Sequence, residues 1–221
     1  MTVNLKVFTN IREELKATGT TLVAVSKFKS VEDIQALYDL GQRDFGENFV
    51  QELVQKQEAL PKDIRWHFIG HLQSNKVKYI APFIYLIHGV DTEKLLVEIN
   101  KQALKLSKKI NCLIQVFIAD ETTKFGFDEA EVAKLDLLKY PGIEFSGFMG
   151  MASFTDDLEK VRHEFKLLKN IASTYAPNLL LGTEPVLLSM GMSGDYKIAL
   201  QEGTSIVRIG SLIFGNRNNH G

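Results

Sequence analysis

The chain has 221 residues, 26 Lys+Arg against 27 Asp+Glu, and 45% hydrophobic content. That balance excludes collagen-like, disordered and disulfide-framework classes, and a net charge of −1 offers no general attraction to nucleic acid. Its single cysteine, Cys112, cannot close an intramolecular disulfide and suits a reducing cytoplasm. The first ten residues lack the apolar stretch of a signal peptide, and apolar runs such as Leu179–Leu181 are far too short to span a membrane.

In chain order, Val3, Leu5, Val7, Phe8, Ile11 and Leu15 recur at helical spacing and predict a helix from Val3 to about Ala17. Gly19 ends it, and Thr21–Ser26 is a β-branched apolar run that reads as a buried strand. Ser30 caps the next helix, with Asp33 three positions on, and Gly41 stops it. The alternation continues with a strand at Asp44–Asn48, a helix through Leu60, a strand at Arg65–Ile69 and a helix near Ser74–Ala81. Phe83–His88 is a strand, Thr92–Lys108 a helix, Asn111–Ile118 a strand, and Asp128 caps a helix to about Lys139. A strand at Ile143–Met149, a helix over Asp156–Tyr175, a strand at Val186–Met190, a helix at Tyr196–Gln201 and a strand at Ser205–Ile209 complete the pattern. Eight near-continuous apolar strands separated by helices predict a parallel sheet buried on both faces. No linker divides the chain, so the expectation is an α/β fold with one domain over residues 1–221: a (β/α)8 barrel preceded by an extra helix.

Function in such a barrel lies at the C-terminal ends of its strands. Lys27 ends the first strand behind Leu22, Val23 and Val25; desolvation there favours the neutral amine, the nucleophile that attacks an aldehyde. A lysine merely snorkelling to solvent is the plain alternative, and Lys29 is a rival two residues further on. Val207–Gly215 runs from the last strand into a turn where the N–H groups of Gly210 and Ser211 can cradle a phosphate. Ser189–Gly194 forms a second small-residue loop before a helix; Ser193 as a simple N-cap and Gly210 as a simple turn stay open. Arg208 interrupts an apolar strand, where an unpaired charge is costly, so it is expected to face the site and donate to a ligand. His67 and His71 fall on a strand and its turn rather than on one helix face, which argues against a metal pair.

Six strings carry a resemblance: Ala24–Lys27, Gly46–Glu52, Trp66–Lys76, Gly147–Ala152, Leu188–Ser193 and Val207–Gly210 with Ile213–Gly215. In this order they resemble the pyridoxal phosphate homeostasis protein family, barrel relatives of the N-terminal domain of alanine racemase. The resemblance implies pyridoxal 5′-phosphate bound as a Schiff base on Lys27, with Asn48 near the ring and Met149 and Met151 around it. It further implies that Ser189, Ser193, Gly210 and Ser211 hold the phosphate and that Arg208 meets the pyridine nitrogen. Gly150 stands where a threonine or cysteine is expected, which would loosen that wall. Lys124 falls where the family carries a basic residue.

A racemase needs an acid/base group on each face of its substrate, and with the sequence ending at Gly221 the second domain that supplies one in alanine racemase is expected to be absent. The expectation is therefore a non-enzymatic carrier that stores or delivers the cofactor to dependent apo-enzymes, cytoplasmic and monomeric. A weak racemase or lyase is the alternative, and a barrel binding another phosphorylated metabolite non-covalently is a third.

Overall fold

The computed structural model describes residues 3–119, 125–179 and 185–215. Helix α1 (Leu5–Lys16) precedes β1 (Thr21–Val25), α2 (Val31–Asp39), β2 (Asp44–Glu47), α3 (Val50–Ala59) and β3 (Arg65–Phe68). Then come α4 (Val77–Ile80), β4 (Leu86–Val90), α5 (Glu93–Lys105), β5 (Ile110–Gln115), α6 (Glu129–Val132) and β6 (Ile143–Met149). The last elements are α7 (Leu158–Leu179), β7 (Leu187–Ser189), α8 (Tyr196–Gln201), β8 (Ile206–Ile209) and α9 (Ser211–Phe214). The eight strands pair in chain order and β8 closes on β1 in parallel, placing Arg208 opposite Val23. The expected (β/α)8 barrel is the one observed.

Local signals explain most boundaries. The Ser30 hydroxyl accepts the Asp33 N–H at the start of α2, and Asp128 forms a reciprocal capping box with Glu131. The helix expected from Asp128 to Lys139 breaks after one turn, however. Leu135 and Leu137 are both buried, and an i, i+2 pair cannot share a helix face, so a 3-10 turn at Leu137–Lys139 replaces it. β4 begins three residues later than its apolar run, because the N–H groups of Phe83 and Ile84 both bond back to the Ile80 carbonyl. Helix α7 runs past its expected end at Tyr175. Pro177 sits in the last turn, where it forfeits a single bond, while Ala176 packs into the core.

Alternation along the strands divides the protein into two layers. Outward residues such as Ala24, Phe45, Ile87, Phe148, Val207 and Ile209 pack beneath the helices in the main core. Inside the barrel, Val23, Leu86, Leu113, Met149 and Ile206 form a small apolar plug. The remaining interior is polar, with His67, His88, Ser189 and Arg208 all buried. Cys112 lies fully buried in β5, and that burial pushes its thiol pKa up, so it behaves as a small apolar side chain.

Gly150 does not loosen its wall. A Cβ there would lie 2.7 Å from Ile118 Cδ1 and 3.1 Å from Leu168 Cδ2, so neighbouring side chains have filled the space. Gly150→Thr alone is therefore expected to cost about 1–3 kcal/mol by overpacking. Combining it with Ile118→Val, which deletes the closest atom, should recover most of that loss in denaturant unfolding. Full stability of Gly150→Thr alone would contradict this packing.

Candidate functional site

The first side of the barrel mouth is built on the loop after β1. Ser26 is fully buried, and its hydroxyl donates to Glu47 Oε1 at 2.6 Å. Lys56, projecting from α3, donates to the Ser26 carbonyl, to Glu47 Oε1 and to Glu52 Oε1, each at 2.7 Å. Glu52 in turn accepts the Phe28 N–H at 2.6 Å. The peptide groups before and after Lys27 are thus clamped from α3. Phe28 adopts a left-handed φ of 61°, a conformation unfavourable for a bulky residue, and its ring rests on Phe49 at 5.0 Å. Lys27 itself is half-buried. Lys29 commits its ammonium to the Phe214 carbonyl at 2.9 Å.

The adjoining side is built on β7 and β8. Arg208 is 4% exposed, and its Nη1 donates to the Ser189 carbonyl at 2.8 Å and to Ser189 Oγ at 2.6 Å. Nη2 reaches the Gly150 carbonyl at 3.3 Å. Burial pulls this guanidinium's pKa down to about 10, which still leaves it cationic at neutral pH. Beyond β7 the chain turns through Gly191, at φ 94°; a Cβ there would meet Ala199 Cβ at 2.6 Å, so only glycine fits. The N-cap of α8 is Asp195, not Ser193. That frees the Ser193 hydroxyl, which accepts the Gly210 N–H at 3.3 Å and draws the two small-residue loops together. Ser211 opens α9 immediately after Gly210 and is exposed.

Between these sides runs a rim formed by the ends of β2 to β5. Gly70 lies so close to Asn48 that a Cβ would sit 2.6 Å from its carbonyl oxygen. Among the described residues, three buried side-chain oxygens lack a hydrogen-bond partner: Glu47 Oε2, Asn48 Oδ1 and Asp91 Oδ1. His71 bonds through Nδ1 to Asp91 at 2.8 Å and stacks on Phe125 at 4.0 Å. Met149 lies in the interior plug and Met151 packs against it. Lys124 lies outside the described residues. Ser189, expected at the phosphate, is instead fully buried, with its hydroxyl between Arg208 and His88.

A profile of the family described as "Alanine racemase, N-terminal domain" matches residues 6–218. The Pyridoxal phosphate homeostasis protein of Schizosaccharomyces pombe is 38% identical over 214 residues, covering 94% of this chain and 88% of that protein. The chain belongs to this family. PipY of Synechococcus elongatus, solved with PLP bound, superposes with a TM-score of 0.84 at 31% identity, covering 95% of this chain and 99% of that one. Alanine racemase of Clostridium difficile shares the fold alone, at 14% identity and a TM-score of 0.76, with this chain spanning 59% of its length.

In this member of the homeostasis family, the α3 clamp and His88 are the residues that motif reading passed over. Glu52 and Lys56 carried a signal as an i, i+4 acid–base pair, although such pairs are usually solvated. His88 interrupts an apolar strand as Arg208 does, and the same burial argument applies to it.

Burial raises the Glu47 carboxyl from its ordinary value near 4.5 to about 6, against the opposing pull of Lys56 and Ser26. The folded protein therefore holds this proton more tightly than the unfolded chain does. Its stabilising contribution is present below about pH 4.5 and is lost as pH rises through about 6, amounting to about 2 kcal/mol. Glu47→Gln removes that dependence, so its unfolding free energy relative to the parent should improve by about this amount between those pH values. A pH-independent difference would contradict the assignment.

Proposed function

We propose that this chain binds pyridoxal 5′-phosphate covalently through Lys27 and acts in its intracellular homeostasis, as a store or donor without racemase activity. The observation that carries the reading is the juxtaposition of Ser193 Oγ with the Gly210 N–H beside an inward-facing, cationic Arg208. Two loops after the last two strands are thereby held together at the position where barrels bind phosphate. Beside them, at the end of β1, the α3 clamp fixes the peptides flanking Lys27. Residues of the right chemistry for an aldehyde, a pyridine ring and a phosphate thus occupy one end of the barrel. The unpartnered Asn48 oxygen supports this fit, since a buried amide acceptor calls for a donor.

When bound, pyridoxal phosphate would supply a reactive aldehyde and an electron-withdrawing ring. Lys27 holds the aldehyde carbon. Ser193, Gly210 and Ser211 would hold the phosphate, the Gly210 N–H exchanging its long bond to Ser193 Oγ for the anion, while Met149 and Met151 would line the ring's surroundings. Arg208 donates to the pyridine nitrogen. A permanently charged donor leaves that nitrogen unprotonated, which weakens the ring as an electron sink and favours holding over turnover. We extend the reading to one cofactor-binding domain over residues 1–221, acting as a cytoplasmic monomer that passes cofactor to dependent apo-enzymes. Among the described residues, no helix is long and apolar enough to cross a membrane.

A second reading, a cofactor-dependent racemase or lyase, draws on the rim. Asp91 orients His71, and the imidazole is 42% exposed, the arrangement of a general acid/base pair. Exchange of an amino acid's α-hydrogen for deuterium by the loaded protein would favour this reading, and absence of exchange with transfer to an apo-enzyme favours the carrier.

Purified protein mixed with pyridoxal phosphate should develop a visible absorption band, and borohydride should fix the label on Lys27 in peptide mass maps. Lys27→Ala should lose both signals. Label spread over surface lysines would overturn the assignment.

A further inference from the structure

The barrel interior contains a hydrogen-bonded column that runs beneath Arg208 from the mouth to the base. Arg208 Nη1 lies 2.6 Å from Ser189 Oγ, Ser189 Oγ 2.8 Å from His88 Nδ1, and His88 Nε2 2.9 Å from His67 Nδ1. His67 Nε2 then meets Asp44 Oδ1 at 3.0 Å, and Asp44 is gripped by Nε and Nη2 of Arg65 at the bottom. Ser189 and His88 are inaccessible to solvent and His67 is 1% exposed, so none of these three can exchange its partner for bulk water. A buried polar chain of this length is tolerable only when every bond is satisfied.

Donor bookkeeping gives the column one direction. Burial pushes the Asp44 pKa up, but the hydrogen bonds from Arg65 and His67 outweigh it and hold the group ionised. A carboxylate only accepts, so His67 carries its proton on Nε2. Burial keeps both imidazoles neutral, with His67 and Arg208 adding to the effect at His88. His67 Nδ1 is therefore an acceptor, and His88 must carry its proton on Nε2. His88 Nδ1 is then an acceptor as well, and the Ser189 hydroxyl donates to it. What Ser189 presents to Arg208 is a lone pair.

We propose that His88 is a positioning residue for the cofactor site: by taking the only proton of Ser189, it fixes Arg208 in one orientation at the barrel mouth. Without that acceptor the buried hydroxyl proton would have no partner, and Ser189 Oγ would lose the second bond that holds it in place under the guanidinium. The inference rests on the reading of Arg208 as the partner of the pyridine nitrogen. It adds that the direction of the bonds below Arg208, and not its charge alone, determines how the ring is met.

The donor direction is testable on the protein without any ligand. Nitrogen-15 NMR at neutral pH should show both His67 and His88 as Nε2–H tautomers. An Nδ1–H tautomer or an imidazolium at either ring would overturn the proposal. With pyridoxal phosphate, His88→Leu and Ser189→Ala should each raise the dissociation constant about tenfold and shift the visible band. His88→Asn, whose side-chain oxygen replaces Nδ1 as the acceptor, should stay within about twofold of the parent. Ser189→Ala deletes a single oxygen and keeps the test open if His88→Leu does not fold. Parental affinity and spectrum in the Ser189→Ala protein would overturn the proposal, as would equal losses in the Leu and Asn variants. So would weaker binding in Ser189→Ala with an unmoved band, the result expected if Ser189 simply touched the phosphate. A parent protein that fails to trap label on Lys27 instead defeats the cofactor reading, whatever the tautomers show.

Discussion

A guanidinium buried at the mouth of an apolar barrel must be supplied with acceptors, and that requirement at Arg208 organises much of the interior. The cost of burying such a charge without partners far exceeds a typical protein's net stability margin. Two backbone carbonyls and one hydroxyl answer it, from β7 and the end of β6. The hydroxyl then needs a partner of its own, and the demand passes through His88 and His67 until it reaches a carboxylate next to a second arginine. Those polar positions occupy space that would otherwise be filled by the layers of branched side chains usual in this fold. The apolar plug around Val23, Leu113 and Met149 fills the rest.

The lysine side of the mouth follows a different logic. There the candidate side chain, Lys27, is placed through its backbone. Its neighbouring peptides are gripped by Lys56 and Glu52, both borne on α3. A buried ion pair such as Lys56–Glu47 contributes little net stability, because desolvation offsets its attraction. What the arrangement provides is position. It holds the left-handed turn at Phe28, after which Lys29 bonds to the Phe214 carbonyl. One wall is therefore fixed through backbone and the other through a column of side chains, and the Lys29 bond to the Phe214 carbonyl ties the two together.

The barrel was legible because its strands are apolar on both faces and its helices are amphipathic, so period and chain order sufficed. Arg208 was legible for a related reason: a charge inside an apolar strand is conspicuous, and the barrel rule states which end matters. His88 and Asp44 obeyed the same rule, yet each needed partners from strands far away in sequence, and no local pattern identifies those. Ser193 shows another limit. A serine beside a helix start reads equally well as a cap, and only the placement of Asp195 at that cap leaves its hydroxyl to Gly210. Gly150 misleads in the opposite sense, since a missing side chain suggests a gap until Ile118 is seen to fill it. The short helix after Asp128 failed because two buried leucines override an intact capping box.

The central claim is that a cationic Arg208, held from below, meets the ring nitrogen of bound pyridoxal phosphate and keeps it unprotonated. The most direct measurement is the nitrogen-15 chemical shift of ring-labelled pyridoxal phosphate bound to the intact protein at neutral pH. An unprotonated pyridine signal is the result this account predicts. A pyridinium signal would contradict it, since a charged arginine donor and a protonated ring nitrogen cannot share one hydrogen bond.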